Sequence, residues 1–588
     1  GYFDMAGQWV RPSEESVAAV LEAMGAGAEG PAPAPVLCVH PGEEIRLEGE
    51  HELLTEDGRA LRLSGGLPPD LPSGYHRLHD LAAGATTLLI VGPGACRLPA
   101  TLMGWGWAVQ LYALRSAQSW GHGDLADLRE LGTWARSLGA SSLLVNPLHA
   151  PLPTLPQESS PYSPSSRCFL NPLYIRVEEA PGAERLGARL APLAAAGTGL
   201  DARREIDRDT VFKLKRRALE ELWLAFPGDP EFDRHREREG DLLRDYATFC
   251  ALAERTDRPW PKWDEGLRHP ATATVAEFRA AHRGRIRFHE WLQWLLDRQL
   301  AAAAAGIGLI NDLAIGVRAD GADAWLWPGA LAGGMTVGAP PDPFNAAGQD
   351  WSLPPFDPWR LRAMGYEPFI QTVRAALRHA SGLRLDHVMG LFRLYWIPAG
   401  ARPPAGVYVR YPHRELLDIL ALESQRAGAL VVGEDLGTVE ASVREELARR
   451  QVLSYRVFWF EDRPPEQYPR DSLAALTTHD LPTLAGIWGG SDTDQLVRER
   501  LRHNAHLVGD EPVAVAAEAA HRALAASPSF VLSATLEDAL GVAERPNRPG
   551  TVGANWRLAL PLPLEQIVRA EGPRRVAAAL HRRDAPEN

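Results

Sequence analysis

Short apolar runs that stop at a carboxylate recur through the second half of the chain. Leu383 and Leu385 precede Asp386, residues 430 to 432 precede Gly433 and Glu434, and residues 473 to 476 lead through two threonines to His479 and Asp480. Runs of this length suit strands buried on both faces. Asp386 and Glu434 stand 48 residues apart, and Glu434 and Asp480 stand 46 apart, room each time for strand, loop, helix and loop. Further runs at 108–112, 142–145, 309–315, 455–460 and 530–532 bring the predicted parallel strands to eight. The expected fold class is therefore α/β, a (β/α)8 TIM barrel over residues 101 to 588. A helical insertion is expected at about 180 to 305, where Val211, Leu214, Ala218 and Leu222 repeat at helical spacing, as do Phe288, Trp291, Leu292 and Leu295.

Residues 1 to 100 differ in texture and are expected to form a separate module. A helix over residues 13 to 24, with Ser13 as N-cap, leads into a Gly/Pro/Ala-rich linker at 25 to 35. Short runs at 36–40, 44–47, 74–78 and 86–91, broken by Gly and Pro, predict the strands of a small β-sandwich-like domain. Such a module is either a carbohydrate-binding unit or an inert extension. The opening Gly1-Tyr-Phe-Asp shows neither an initiator Met nor a signal sequence, so the natural start is expected upstream.

An acid at the carboxyl end of a barrel strand lies on the face where such barrels build their active sites. Three of them point to sugar chemistry. Glycoside cleavage with retained configuration uses one carboxylate as nucleophile and a second carboxyl that first donates and later removes a proton, the two held about 5 Å apart. A third acid nearby stabilises positive charge on the ring. Taken singly, each acid reads more simply as a helix cap, and Asp124 is such a predicted cap after the first strand. Arg384, two residues before Asp386, lies on the same side of its strand. The polar, proline-rich loop at 146 to 167 follows the second strand and belongs to the active face.

Composition narrows the partners. A net charge of −13 over 588 residues argues against nucleic acid and against anionic membranes. Most of the 18 Trp are expected in the core, but exposed indoles stack well on sugar rings. Cys38, Cys96, Cys168 and Cys250 lie far apart without a C-x-x-C pair, which fits neither a zinc site nor a disulfide scaffold and suits a reducing cytoplasm. No run of 18 apolar residues predicts a membrane span.

The longer blocks around the acids carry a family resemblance. Gly382-Leu-Arg384-Leu-Asp386-His387-Val-Met-Gly-Leu-Phe-Arg-Leu-Tyr-Trp-Ile-Pro398, Gly433-Glu434-Asp435-Leu-Gly-Thr-Val439 and Thr477-Thr478-His479-Asp480-Leu-Pro-Thr483 resemble those of the amylomaltases, the bacterial 4-α-glucanotransferases, in their longer form with an amino-terminal extension. The likeness continues through Ser160-Pro-Tyr162-Ser-Pro-Ser-Ser-Arg167, Asn171-Pro-Leu-Tyr-Ile175, Asp312-Leu-Ala-Ile-Gly316, Gly338-Ala-Pro-Pro-Asp342-Pro-Phe344, Gly348-Gln349-Asp-Trp351 and Pro546-Asn547-Arg-Pro-Gly550-Thr551. These blocks run in family order over roughly residues 104 to 560.

The resemblance implies transfer of α-1,4-glucan segments between maltooligosaccharides through a glucosyl-enzyme intermediate, without a cofactor or metal. It makes Asp386 the nucleophile, Glu434 the acid/base and Asp480 the transition-state stabiliser. Arg384 is expected to keep Asp386 ionised, and the charge of Asp386 to raise the Glu434 pKa; Asp435 is read as structural. His479 is expected to grip sugar hydroxyls with Asp480, Tyr162 to stack on the same ring, and Asp320 to match a family acid eight residues past Asp312. The segment from 338 to 352 resembles a loop that overhangs the cleft, with Phe344, Gln349 and Trp351 at substrate-contacting positions and Pro343 where some members carry a tyrosine. Asn547 is a further candidate on the last loop. An α-amylase-like hydrolase is the nearest alternative, since the same acids serve both; a catalytically silent glucan-binding protein is the other. A cytoplasmic monomer or homodimer is expected.

Overall fold

The structure, a computed structural model, describes residues 1–25 apart from 4–7, and residues 36–581 apart from 257, 343, 344, 438, 493, 552 and 554. Eight strands close into a barrel: β1 (Gly104–Val109), β2 (Ser142–Val145), β3 (Gly308–Leu313), β4 (Gly382–Leu385), β5 (Leu430–Gly433), β6 (Leu453–Val457), β7 (Ser472–Ala475) and β8 (Val531–Thr535). Each strand pairs in parallel with its neighbours in chain order, and β8 pairs with β1. The expected barrel is present, with bounds shifted by a few residues. β1 begins earlier than its apolar run because Gly106 allows a close approach: a Cβ there would meet the Ser142 carbonyl oxygen at 2.3 Å. It also ends earlier, because the chain turns at Leu111–Ala113, where the Leu111 N–H donates to the Asn146 side chain at 2.7 Å.

Asp124 caps the helix Leu125–Ser137 through a capping box. The region between β2 and β3 is helical as expected, from Gly187–Gly199 through Arg208–Leu224, Pro230–Ala253 and Ala273–Ala281 to Arg283–Ala304. The last of these packs against Leu125–Ser137 and serves as the barrel's own second helix.

The amino-terminal strands form one five-stranded sheet among the described residues, where two facing sheets were expected. Its order is Val36–Val39, Thr86–Val91, Gly74–Asp80, Glu50–Leu54 and Ala60–Ser64, with only the first pair parallel. A second sheet is unnecessary because the barrel covers one face: Val36, Ile90 and Cys96 pack with Leu416, Leu420 and Ala421 of the helix His413–Ala427. Leu53, Leu78 and Leu89 on the other face lie under Ile45, Leu47 and Leu71 from the loops. The run at 44–47 is therefore loop, not strand, and a hairpin turning at Asp57-Gly58 supplies the two remaining strands. Most of the linker at 25 to 35 lies outside the described residues.

Ser13 caps the helix Glu14–Ala23 by accepting from the Ser16 N–H at 3.1 Å. This helix lies on a four-stranded antiparallel sheet that the apolar runs did not reveal, in the order Gln349–Asp350, Met335–Ala339, Arg393–Pro398 and Val407–Arg410. The hairpin of the first two strands carries the loop at 340 to 348.

Candidate active site

Parallel register sets the site. Asp312 on β3 pairs with Arg384 on β4, and the ladders run one residue beyond the strands: the Asp386 N–H donates to the Leu313 carbonyl at 3.1 Å, and the Glu434 N–H to the Leu385 carbonyl at 3.0 Å. Asp386 and Glu434 thus emerge from adjacent strands at the carboxyl end of the barrel. His387 then turns the chain with a left-handed φ of 48°. That turn aims its N–H at Glu434 Oε2, 2.9 Å away.

The remaining residues join through side chains. Arg384 Nη1 lies 2.7 and 2.8 Å from the two oxygens of Asp312 and 3.3 Å from Asp386. Tyr162 donates its hydroxyl to Asp312 at 2.5 Å and stacks on His479, with ring centres 4.9 Å apart. Asp480 lies 3.4 Å from His479 Nε2 and accepts from Asn547 Nδ2 at 2.6 Å. Seven of the expected site residues therefore form one bonded cluster: Asp386, Glu434, Asp480, Arg384, Tyr162, His479 and Asn547. Asp312 joins them. It was legible only as part of a family block, because its pairing with Arg384 is a matter of register.

Other expected residues lie further out. Trp351 meets His387 edge-on at 5.2 Å and donates its indole N–H to Gln349 at 3.2 Å, so this pair borders the cluster. Phe344 and Pro343 lie outside the described residues. Asp320 is not drawn in: it pairs with Arg318 at 2.8 and 3.0 Å on the wall of a separate groove of about 950 Å³. Asp435, fully buried, accepts from the Tyr455 N–H at 2.8 Å and stays out of the cluster.

Charge is distributed differently from expectation. Burial pushes the Asp386 carboxyl up to about 7, with Asp312 and Glu434 adding to the push and Arg384 opposing it. Arg384 is thus a weaker partner for Asp386 than expected, since its closest oxygens belong to Asp312. Burial is also the main cause of a raised Glu434, opposed by Arg384 and by the N–H groups of His387 and Leu436. Like charge alone does not account for it. Asp480 goes the other way: burial raises it, but His479 and the Asn547 amide outweigh that and hold it below the ordinary carboxylate range. His479, raised by Asp480 against the effect of burial, is its counter-charge. Among the described residues no group of three or more His, Cys, Asp or Glu side chains is arranged to hold a metal.

A closed parallel barrel with carboxyls clustered beyond its strand ends defines the class, a (β/α)8 enzyme of the kind that works on sugars. The sequence profile of the 4-alpha-glucanotransferases matches residues 109–563. The 4-alpha-glucanotransferase of Mycobacterium tuberculosis is 43% identical over 582 residues, covering 87% of this chain and 80% of the relative; that of Haemophilus influenzae is 36% identical, covering 77% and 71%. The crystal structure of amylomaltase from Corynebacterium glutamicum superposes with a TM-score of 0.89 at 32% identity, covering 99% of this chain and 97% of that one. The chain belongs to the 4-alpha-glucanotransferase family, and its reaction is α-glucan transfer.

Proposed function

We propose that the chain transfers α-1,4-linked segments from one maltooligosaccharide to the 4-hydroxyl of another by double displacement, with Asp386 as nucleophile and Glu434 as acid/base. The observation that carries this reading is the placement of the two carboxyls side by side beyond β4 and β5, with Arg384 bonded to one and the His387 N–H to the other. Burial raises both carboxyls, and because they titrate as a coupled pair a singly protonated form exists between the two steps, its proton on either acid. Cleavage uses the form with that proton on Glu434. Asp386, its charge faced by Arg384, attacks the anomeric carbon while Glu434 protonates the departing glycosidic oxygen. The resulting ester removes the charge on Asp386. Glu434, now anionic, takes the proton from the incoming 4-hydroxyl, and the glycosidic bond forms as the ester breaks.

Asp480 and His479 serve the ring in the cleavage subsite. An anionic Asp480, held low by His479 and Asn547, accepts hydroxyl hydrogen bonds that strengthen as the ring flattens toward an oxocarbenium ion. Tyr162 supplies the apolar face for the same ring, Trp351 and Gln349 border it, and Phe344 and Asn547 complete the proposed substrate contacts, whereas Asp320 stands apart on its own groove.

Pure maltotriose tests the reading. Glucose should appear together with longer oligomers while total reducing ends stay nearly constant, because each bond broken is replaced. A steady rise in reducing ends without longer products would identify a hydrolase instead.

A further inference from the structure

Trp556 is 6% exposed and sits in the left-handed region with φ 63°, a conformation that bulky residues rarely adopt. Its indole packs on two rings of the cluster at once, with centres 5.3 Å from Tyr162 and 5.2 Å from His479, tilted by 43° and 48°. The three rings form a closed set, since Tyr162 and His479 also stack on each other. The Tyr162 hydroxyl also lies 3.4 Å from His479 Nδ1. Tyr162 is tethered by its hydroxyl on Asp312 and His479 by a long 3.4 Å contact to Asp480.

The backbone of Trp556 is held from several sides. Its N–H donates to the Pro546 carbonyl at 2.8 Å, one residue before Asn547. Its carbonyl accepts from buried Arg208 at 2.5 Å, and that guanidinium lies over the Tyr112 ring at 4.9 Å. Flanking residues are stitched to the same stretch of the insertion: the Ile206 N–H donates to the Arg557 carbonyl, the Ala559 N–H to the Arg204 carbonyl, and Glu205 bridges to Leu558. An uncommon backbone conformation kept by this many bonds, and spent on backing two rings of the site, is a conformation with a purpose.

We propose that Trp556 is a positioning residue for transfer: its indole backs the Tyr162 and His479 rings and holds both in place against the sugar at the point of cleavage. It touches no substrate itself. The inference rests on the placement of Tyr162 and His479 at that sugar, given above. A displacement of about 1 Å in a positioning group costs on the order of 100-fold in rate, because the contacts that matter are those made in the transition state.

Three variants test it: Trp556→Phe keeps a ring, Trp556→Leu keeps bulk without one, and Trp556→Gly removes the side chain while easing the backbone. Each is assayed on maltotriose for kcat and KM, and on α-glucosyl fluoride without acceptor, where the fluoride burst counts active sites. Per counted site, Trp556→Leu and Trp556→Gly should lose about 10- to 100-fold in kcat with KM within about 3-fold, while Trp556→Phe keeps most of the rate. A role confined to folding would reduce the number of sites and the melting temperature but not the rate per site, and would overturn the proposal. So would full activity in Trp556→Gly, which would show that only the backbone matters. Asp386→Asn in the same assay separates the two readings: if it still transfers, the site assignment falls whatever Trp556 does.

Discussion

Arg384 lies closer to Asp312, at 2.7 and 2.8 Å, than to Asp386, at 3.3 Å. The guanidinium is therefore shared, and Asp312 both draws it away from the nucleophile and adds its own negative charge. Both effects raise the Asp386 pKa. Asp312→Asn should lower it, so the acidic limb of the pH profile for transfer should move to lower pH. The rate at the optimum should fall about 10- to 100-fold, because Tyr162 loses its anionic acceptor. Initial rates of glucose release from maltotriose across about pH 4 to 9 measure both; a limb that moves upward would contradict the shared-guanidinium account.

Asp386→Asn should abolish nearly all turnover, a loss of several powers of ten, with far-UV circular dichroism unchanged. It should also stabilise the protein at alkaline pH. The folded carboxyl titrates near 7, above its value of about 3.9 in an unfolded chain, so ionisation costs the folded state stability as pH rises through that window. An amide carries no such cost. Melting temperatures of the variant and wild type should coincide near pH 4 and separate in the variant's favour by about 1–3 °C near pH 8. A lower melting temperature for the variant at pH 8 would mean that the Arg384 contact outweighs burial.

Glu434→Gln should split the two half-reactions. Fluoride departs with little help from an acid, so α-glucosyl fluoride should still load Asp386, while the acceptor hydroxyl finds no base. A glucosyl ester should accumulate on a peptide containing Asp386 and be visible by mass spectrometry. Label on Glu434 or Asp480 in the unsubstituted protein would move the nucleophile.

A buried carboxyl group helps to fasten the amino-terminal sheet to the barrel. Asp418, buried on the helix His413–Ala427, pairs with Arg450 and with His40 of the sheet, the latter at 2.9 Å. Asp418→Asn leaves Arg450 half-satisfied by Glu446 at 3.0 Å and should cost about 2–3 kcal/mol, read as a lower melting temperature. Transfer from maltotriose per active site should not change, since none of these groups reaches the cluster. A drop in kcat with unaltered melting would place the module in the chemistry.

The strand ends and the acids were legible together because in this fold they are the same residues: Asp386 and Glu434 stand where β4 and β5 stop. Arg384 was legible as a partner on the same side of its strand, but not as belonging chiefly to Asp312, since the pairing of β3 with β4 is not written in either strand. Trp556 was invisible for a related reason. Nothing in Gly-Ala-Asn-Trp-Arg says that an indole will lie under rings nearly 80 and 400 residues away. The amino-terminal runs predicted strands well at 36, 74 and 86, yet alternation along a strand does not say what covers its second face, and the barrel took the place of a second sheet. The Asp57-Gly58 hairpin was a readable turn signal that the run at 44 to 47 obscured.

The stitching of residues 204–208 to 556–559 also orders events in time. Arg208 and Trp556 are 348 residues apart, which at roughly 5–20 residues per second is roughly 20–70 s of synthesis. Until that interval has passed, the insertion helices stand without their partner and Tyr162 and His479 lack a backing. The newborn chain can assemble most of its barrel but not the aromatic floor of its sugar site. Catalytic competence is thus withheld until residues 556–559 have been made, and a polypeptide that stops short of them has the acids without the geometry.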